Sequence, residues 1–131
     1  MAHVVAPFTL DTFDQDPPYL EDGDVAYGRA RISKTFRGAL QATSTVEMLS
    51  VRAPGDSAGY VALEHVTGAL DGRAGSFALL HIGTMVGTET WARWPVVPGS
   101  GSGELAGLTG EARIEIDAEG VHTLHLDYEL G

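Results

Sequence analysis

Apolar and polar residues alternate along most of the chain, in short segments divided by glycine and proline. A period of two marks a half-buried strand. No segment sustains the i, i+3, i+4, i+7 spacing of an amphipathic helix. Thr43 to Val51 comes nearest, but Thr, Ser and Val dominate it and favour strand. The pattern predicts eight strands, at about 3–13, 25–37, 39–52, 59–69, 73–85, 88–98, 104–117 and 121–130. Connections are short except for the Asp- and Pro-containing link 14–24. Eight such strands in one short chain predict an all-β fold. The expected form is a single eight-stranded antiparallel up-and-down β-barrel, one domain over residues 1–131. A two-sheet sandwich is the alternative, since it too buries one face per strand.

An internal repeat supplies the register. Gly68-Ala69-Leu70-Asp71-Gly72-Arg73-Ala74-Gly75 and Gly103-Glu104-Leu105-Ala106-Gly107-Leu108-Thr109-Gly110 share the pattern G-x-L-x-G-x-x-G. A degenerate third copy is Gly38-Ala39-Leu40-Gln41-Ala42. Each copy is expected to form one hairpin. Asp71-Gly72 suits a type I′ turn, whose two central residues both need positive φ. Pairing Leu70 with Arg73 sets Val66 opposite Phe77, Glu64 opposite Leu79 and Ala62 opposite His81. One face then carries Tyr60, Ala62, Glu64, Val66, Phe77, Leu79 and His81.

The second copy decides which face is inside. Ala112, Ile114 and Ile116 correspond to Phe77, Leu79 and His81, and the opposite face carries Glu111, Arg113 and Glu115. Three charges belong in water, so Phe77, Leu79 and His81 are expected inside. A three-residue loop ending in Gly120 pairs Ile116 with His122 and Gly110 with Tyr128, and sends His122, Leu124, Leu126 and Tyr128 inward as well. In the degenerate copy, Phe36 is paired with Glu47, which places Lys34 and Glu47 together on the inner face. A bulge there would reverse that assignment. The strand at 88–98 contains Pro95 and Pro98, so either Trp91 or Trp94 could face in; Trp94 is kept as the ligand-binding candidate.

Charge and composition narrow the classes of function. The 131 residues are 44% hydrophobic and 20% charged, as in an ordinary globular domain. Acids outnumber bases 18 to 8, for a net charge of −10, which argues against nucleic acid and anionic membrane as partners. There is no apolar run long enough to span a bilayer, and the N-terminus lacks the look of a secretory signal. With no cysteine, disulfides and thiolate sites are excluded, and a cytoplasmic location is expected. No cofactor is expected. The serine–glycine run 99–103 has neither a Walker lysine nor a following helix. No metal is expected either. His122 and His125 fall on opposite faces of one strand, and His65 and His81 also fall on opposite faces.

The phrase from Gly59 through Glu64-His65, Gly68-Ala69-Leu70-Asp71-Gly72 and Phe77 to His81, with Val97-Pro98-Gly99 to Gly103-Glu104-Leu105 and Leu108-Thr109-Gly110, resembles a family of uncharacterised bacterial proteins. Their β-barrel is similar to that of allene oxide cyclase. The resemblance runs from about Phe8 to Leu130. It implies the barrel, and it carries no assigned activity. Phe13 stands where the family pattern suggests a tryptophan.

Glu64 and His81 are the candidate catalytic pair. They sit diagonally across one hairpin, and a carboxylate that orients an imidazole makes an acid/base unit near neutral pH. Tyr60, Phe77, Trp94, His122 and Tyr128 are the candidate ligand-binding residues. The expected function is binding of a small, mostly apolar molecule in the lumen, with an isomerase or cyclase reaction if the protein is an enzyme. The alternative is a non-catalytic structural or interaction module with a packed lumen. A homo-oligomer is compatible with either.

Overall fold

The strands expected from the alternation form, with two short additions. In the computed structural model, which describes residues 1–131, they are β1 (Ala2–Gln15), β2 (Leu20–Asp22), β3 (Val25–Phe36), β4 (Leu40–Ala53), β5 (Ser57–Leu70), β6 (Arg73–Val86), β7 (Glu89–Pro95), β8 (Ser102–Gly103), β9 (Leu108–Ile116) and β10 (His122–Leu130). Eight of them form an antiparallel meander. β1 pairs with both β3 and β10, which closes the sheet into a barrel. That closure decides against the sandwich. The two additions are β2, which pairs with β3, and β8, which pairs with β6. The chain has no helix, so none is long and apolar enough to cross a membrane.

The β5–β6 hairpin has the expected register, with Glu64 opposite Leu79 and Ala62 opposite His81. Its turn is of the predicted kind: Asp71 and Gly72 have φ of 49° and 79°. The β9–β10 register is also as expected, Ile116 to His122 and Gly110 to Tyr128. Two readings need correction. The second repeat copy is not a hairpin between long strands. Residues 104–107 form a turn, and β9 begins only at Leu108. Leu105, in that turn, is sealed under the barrel and helps to plug one end. In the third copy the turn is residues 37–39, with Gly38 at φ 84°, not Gln41-Ala42. Phe36 therefore pairs with Ala42, and Glu47 pairs with Arg31 on the outer face. The five-residue error is odd, and an odd slip sends every side chain of β4 to the other side.

The two ends of the barrel differ. Most of the hydrophobic core, including Val4, Leu40, Leu70, Phe77, Leu105, Leu108 and Leu126, packs at the end that holds the turns at 37–39, 71–72 and 104–107. At the other end the inner wall is apolar but uncovered. By register Leu10, Phe13 and Ile116 lie on the inner face, opposite Lys34, Ile32 and His122. Their exposures are nonetheless 44%, 52% and 62%. A bulge at Asp11, between Leu10 and Thr12, keeps Phe13 on that inner face. The barrel is thus sealed by its core at one end, while at the other these three apolar side chains of the inner face stay exposed.

Candidate functional site

Between the packed base and the exposed rim lies a ring of polar side chains. β3 supplies Lys34, β4 Ser44, β5 Glu64 and β6 His81, and all four are buried. Strand parity puts them there. Lys34 lies opposite Ser44, and Glu64 and His81 are the expected diagonal pair.

Glu64 is the hub. Its Oε1 accepts from Lys34 Nζ at 3.2 Å and from His81 Nε2 at 2.7 Å, and its Oε2 accepts from Ser44 Oγ at 2.5 Å. The carboxylate is 1% exposed. Burial alone pushes its pKa up. The His81 hydrogen bond, the Lys34 and His81 charges and the Ser44 hydroxyl act the other way and prevail, so the group is held below its ordinary 4.5. A carboxylate is an acceptor only, so His81 Nε2 must carry the proton it shares with Glu64. Nδ1 forms no hydrogen bond, and no sealed polar side-chain atom in the protein lacks a partner. Nδ1 therefore borders accessible space on the inner side of the wall.

Aromatic groups surround the ring. The Trp94 indole meets the His81 imidazole edge-on, with centroids 6.4 Å apart. Trp94 pairs with Ala112 on the inner face, whereas Trp91 lies opposite Thr84 and is exposed outside. Lys34 Nζ sits 4.9 Å from the Phe8 ring centroid, and the Phe8 ring also meets Phe36 at 5.1 Å and His122 at 5.3 Å. The Tyr60 ring lies against Gly83, where a Cβ would come within 2.6 Å of Cε1. Burial raises the pKa of its phenol, with the nearby Trp94 side chain opposing.

Five of the expected residues thus gather at or just above one level: Glu64, His81, Trp94, His122 and Tyr60. Phe77 and Tyr128 lie at the closed end. Phe77 is core, and the Tyr128 hydroxyl donates to the Asp71 carboxylate at the β5–β6 turn. That bond, with burial, raises the Tyr128 pKa and ties it to the base of the barrel. Ser44, Phe8 and the pairing of Lys34 with Glu64 escaped the sequence reading. The glycine at position 38 was the available signal, because a left-handed residue there sets the β3–β4 register. No group of three or more His, Cys, Asp or Glu side chains is placed to hold a metal ion.

This arrangement can orient an imidazole, fix its tautomer and present one free nitrogen on the inner side of the wall. A crystal structure from Shewanella oneidensis MR-1, described as a protein of unknown function from the DUF3224 family, is similar over the whole chain. It is 41% identical, with a TM-score of 0.91, and the match covers 100% of this chain and 98% of that one. No curated protein matches. The family model described as "Protein of unknown function (DUF3224)" matches residues 4–128. On that match, which spans nearly the whole barrel, the chain belongs to the DUF3224 family.

Proposed function

We propose that the end of the barrel with the exposed apolar side chains forms a cup for a small, mostly apolar molecule carrying a carbonyl or hydroxyl group, which meets His81 Nδ1 at the floor of the cup. The observation that carries this reading is the hydrogen-bonding state of His81. Nε2 is committed to Glu64 while Nδ1 is left free beneath the apolar rim. As a binder, the protein would hold the polar group of its ligand at Nδ1. As an enzyme, it would use the same nitrogen to take a proton from the ligand and return it elsewhere on the molecule, the step an isomerase or cyclase needs. Glu64 would stabilise the imidazolium formed on the way, and Lys34 would balance the carboxylate in the resting state. Tyr60, Trp94 and His122 would shape the wall.

A purely structural barrel is the second reading. It is favoured by the complete pairing of buried polar atoms and by the packed base. The two readings separate on the energetics of buried ions. An apolar core of equal volume serves stability as well as a buried ion pair does, or better, so the polar ring has no stability advantage to offer on its own. Native mass spectrometry of the protein as purified, beside His81→Phe, tests the choice. A small molecule that accompanies the wild type and not the variant supports a binding site. Equal occupancy in both, or none in either, supports the structural barrel.

A further inference from the structure

The outer surface of the barrel is divided into two unlike halves. On β9 and β10 the outward positions are Glu111, Arg113, Glu115, His125 and Asp127, a charged surface of the usual kind. On β4, β5 and β6 the outward positions of the central stretch are Leu49, Val61, Leu63, Leu80 and Ile82, with Thr43, Thr45, Glu47, His65 and Thr67 following toward the closed end. Leu63 is 60% exposed on the middle strand of the meander, where nothing in the chain covers it.

We infer that this face of β4–β6 is the interface of a two-fold symmetric homodimer. Three observations choose a second copy as the occupant. The first is shape. Two adjoining depressions, of about 470 and 340 Å³, share Leu49 and Val61. Leu63 stands proud at one of them, and the other has Gly59 in its floor. The rung Leu49–Val61–Ile82 runs between the rung of Leu63 and Leu80 and the rung of Gly59 and Thr84. A two-fold axis along the central rung exchanges the outer two. Leu63 of one protomer then fills the hollow over the partner's Gly59, and the reverse contact forms at the same time, as an isologous interface requires. Two sheets stacked in this way pack face to face with strands nearly aligned.

The second observation is area. Leu49, Val61, Leu63, Ile82, Trp91 and Tyr19 are exposed at 42%, 45%, 60%, 37%, 52% and 59%. At roughly 200 Å² per large apolar residue they present about 600 Å², at the top of the range for a patch on a monomer. With a polar margin this approaches the ~800 Å² that each partner buries in a standard interface. The third is charge. The protein carries −10, yet on β4–β6 the only outward acid is Glu47, already paired with Arg31 at 3.0 Å, and Glu89 stands at the margin of the patch, beside Trp91. Two copies meet here without the repulsion that their acidic surfaces would impose elsewhere.

Sedimentation equilibrium across a dilution series tests the inference. The wild type is expected at twice the chain mass of 13.8 kDa. Leu63→Glu is expected at the monomer mass with an unchanged circular dichroism spectrum. A double variant, Gly59→Cys/Leu63→Cys, tests the geometry itself, since the chain has no cysteine of its own. A Cβ at Gly59 meets only ordinary contacts, the nearest at 3.7 Å, so a side chain there is accommodated without a backbone clash. Oxidation should join two chains covalently. A wild type at monomer mass throughout, a trimer or larger ring, a dimer that survives Leu63→Glu, or a cysteine pair that does not cross-link would each overturn the proposal.

Discussion

Replacing Glu64 by Gln removes the charge at the centre of the polar ring and leaves its shape. Lys34 then keeps its ammonium at 6% exposure with no counter-charge. The amide oxygen can still accept one bond, but the amide nitrogen cannot accept from Ser44 or His81. Removing one partner of a buried ion pair costs about 3–5 kcal/mol, and the retained acceptor puts this case near the lower end. For a domain of this size that is a fall in Tm of about 10 °C, at roughly 3–4 °C per kcal/mol. The double variant Lys34→Met/Glu64→Gln removes both charges and should recover at least half of the loss, because the unpaired cation is gone. The pH dependence follows from the depressed Glu64 pKa. Its contribution is fully present above the unfolded value near 4.5 and is lost as pH falls through the lower folded value. Thermal and urea denaturation of the three proteins, each repeated down an acid series, measures all of this. A Glu64→Gln loss below about 1 kcal/mol, a double variant no more stable than the single one, or an acid limb as steep in Glu64→Gln as in wild type would refute the reasoning.

Two glycines of one repeat should behave differently. Gly72→Val meets no atom within 4 Å, so its cost is backbone strain at φ 79°, about 1–3 kcal/mol by chemical denaturation. Gly75→Ala would set a Cβ 2.1 Å from the Ser102 carbonyl oxygen, must displace β8, and should lose more stability than Gly72→Val. The His81 tautomer is a separate expectation. Long-range nitrogen–proton correlation NMR should find Nε2 protonated in wild type; a neutral ring protonated only at Nδ1 would contradict the assigned bond to Glu64.

Legibility in the sequence tracked how firmly each turn was specified. Asp71-Gly72 needs positive φ twice, and only one hairpin satisfies it, so the register that brings Glu64 to His81 could be read directly. The Gly120 loop behaved likewise for His122. The third glycine phrase lacked such a pair. Its true turn is Arg37-Gly38-Ala39, whereas a loop at Gln41-Ala42 would turn Glu47 inward and Ser44 outward. Such a slip also separates Lys34 from its real partner, since Glu64 lies two strands away and no hairpin argument links them. Depth along the barrel was the other blind spot. Alternation tells inside from outside, but it does not tell the sealed base from the open rim. Tyr128 and Ile116 share an inner face, yet one is 4% exposed and the other 62%. Only the plug formed by residues 104–107, which the alternation read as strand, distinguishes the two ends.

The central claim is that the open cup, with His81 at its floor, is where a ligand binds. An NMR titration with a panel of small apolar ketones and aldehydes, observed at the methyl groups of Leu10, Ile116, Leu49 and Leu80 and at the His81 ring, tests it most directly. At least one compound is expected to shift His81, Leu10 and Ile116 together in wild type, to leave Leu49 and Leu80 on the outer face unmoved, and to lose its effect on the rim methyls in His81→Phe. Shifts confined to Leu49 and Leu80, or rim shifts that persist unchanged in His81→Phe, would contradict it.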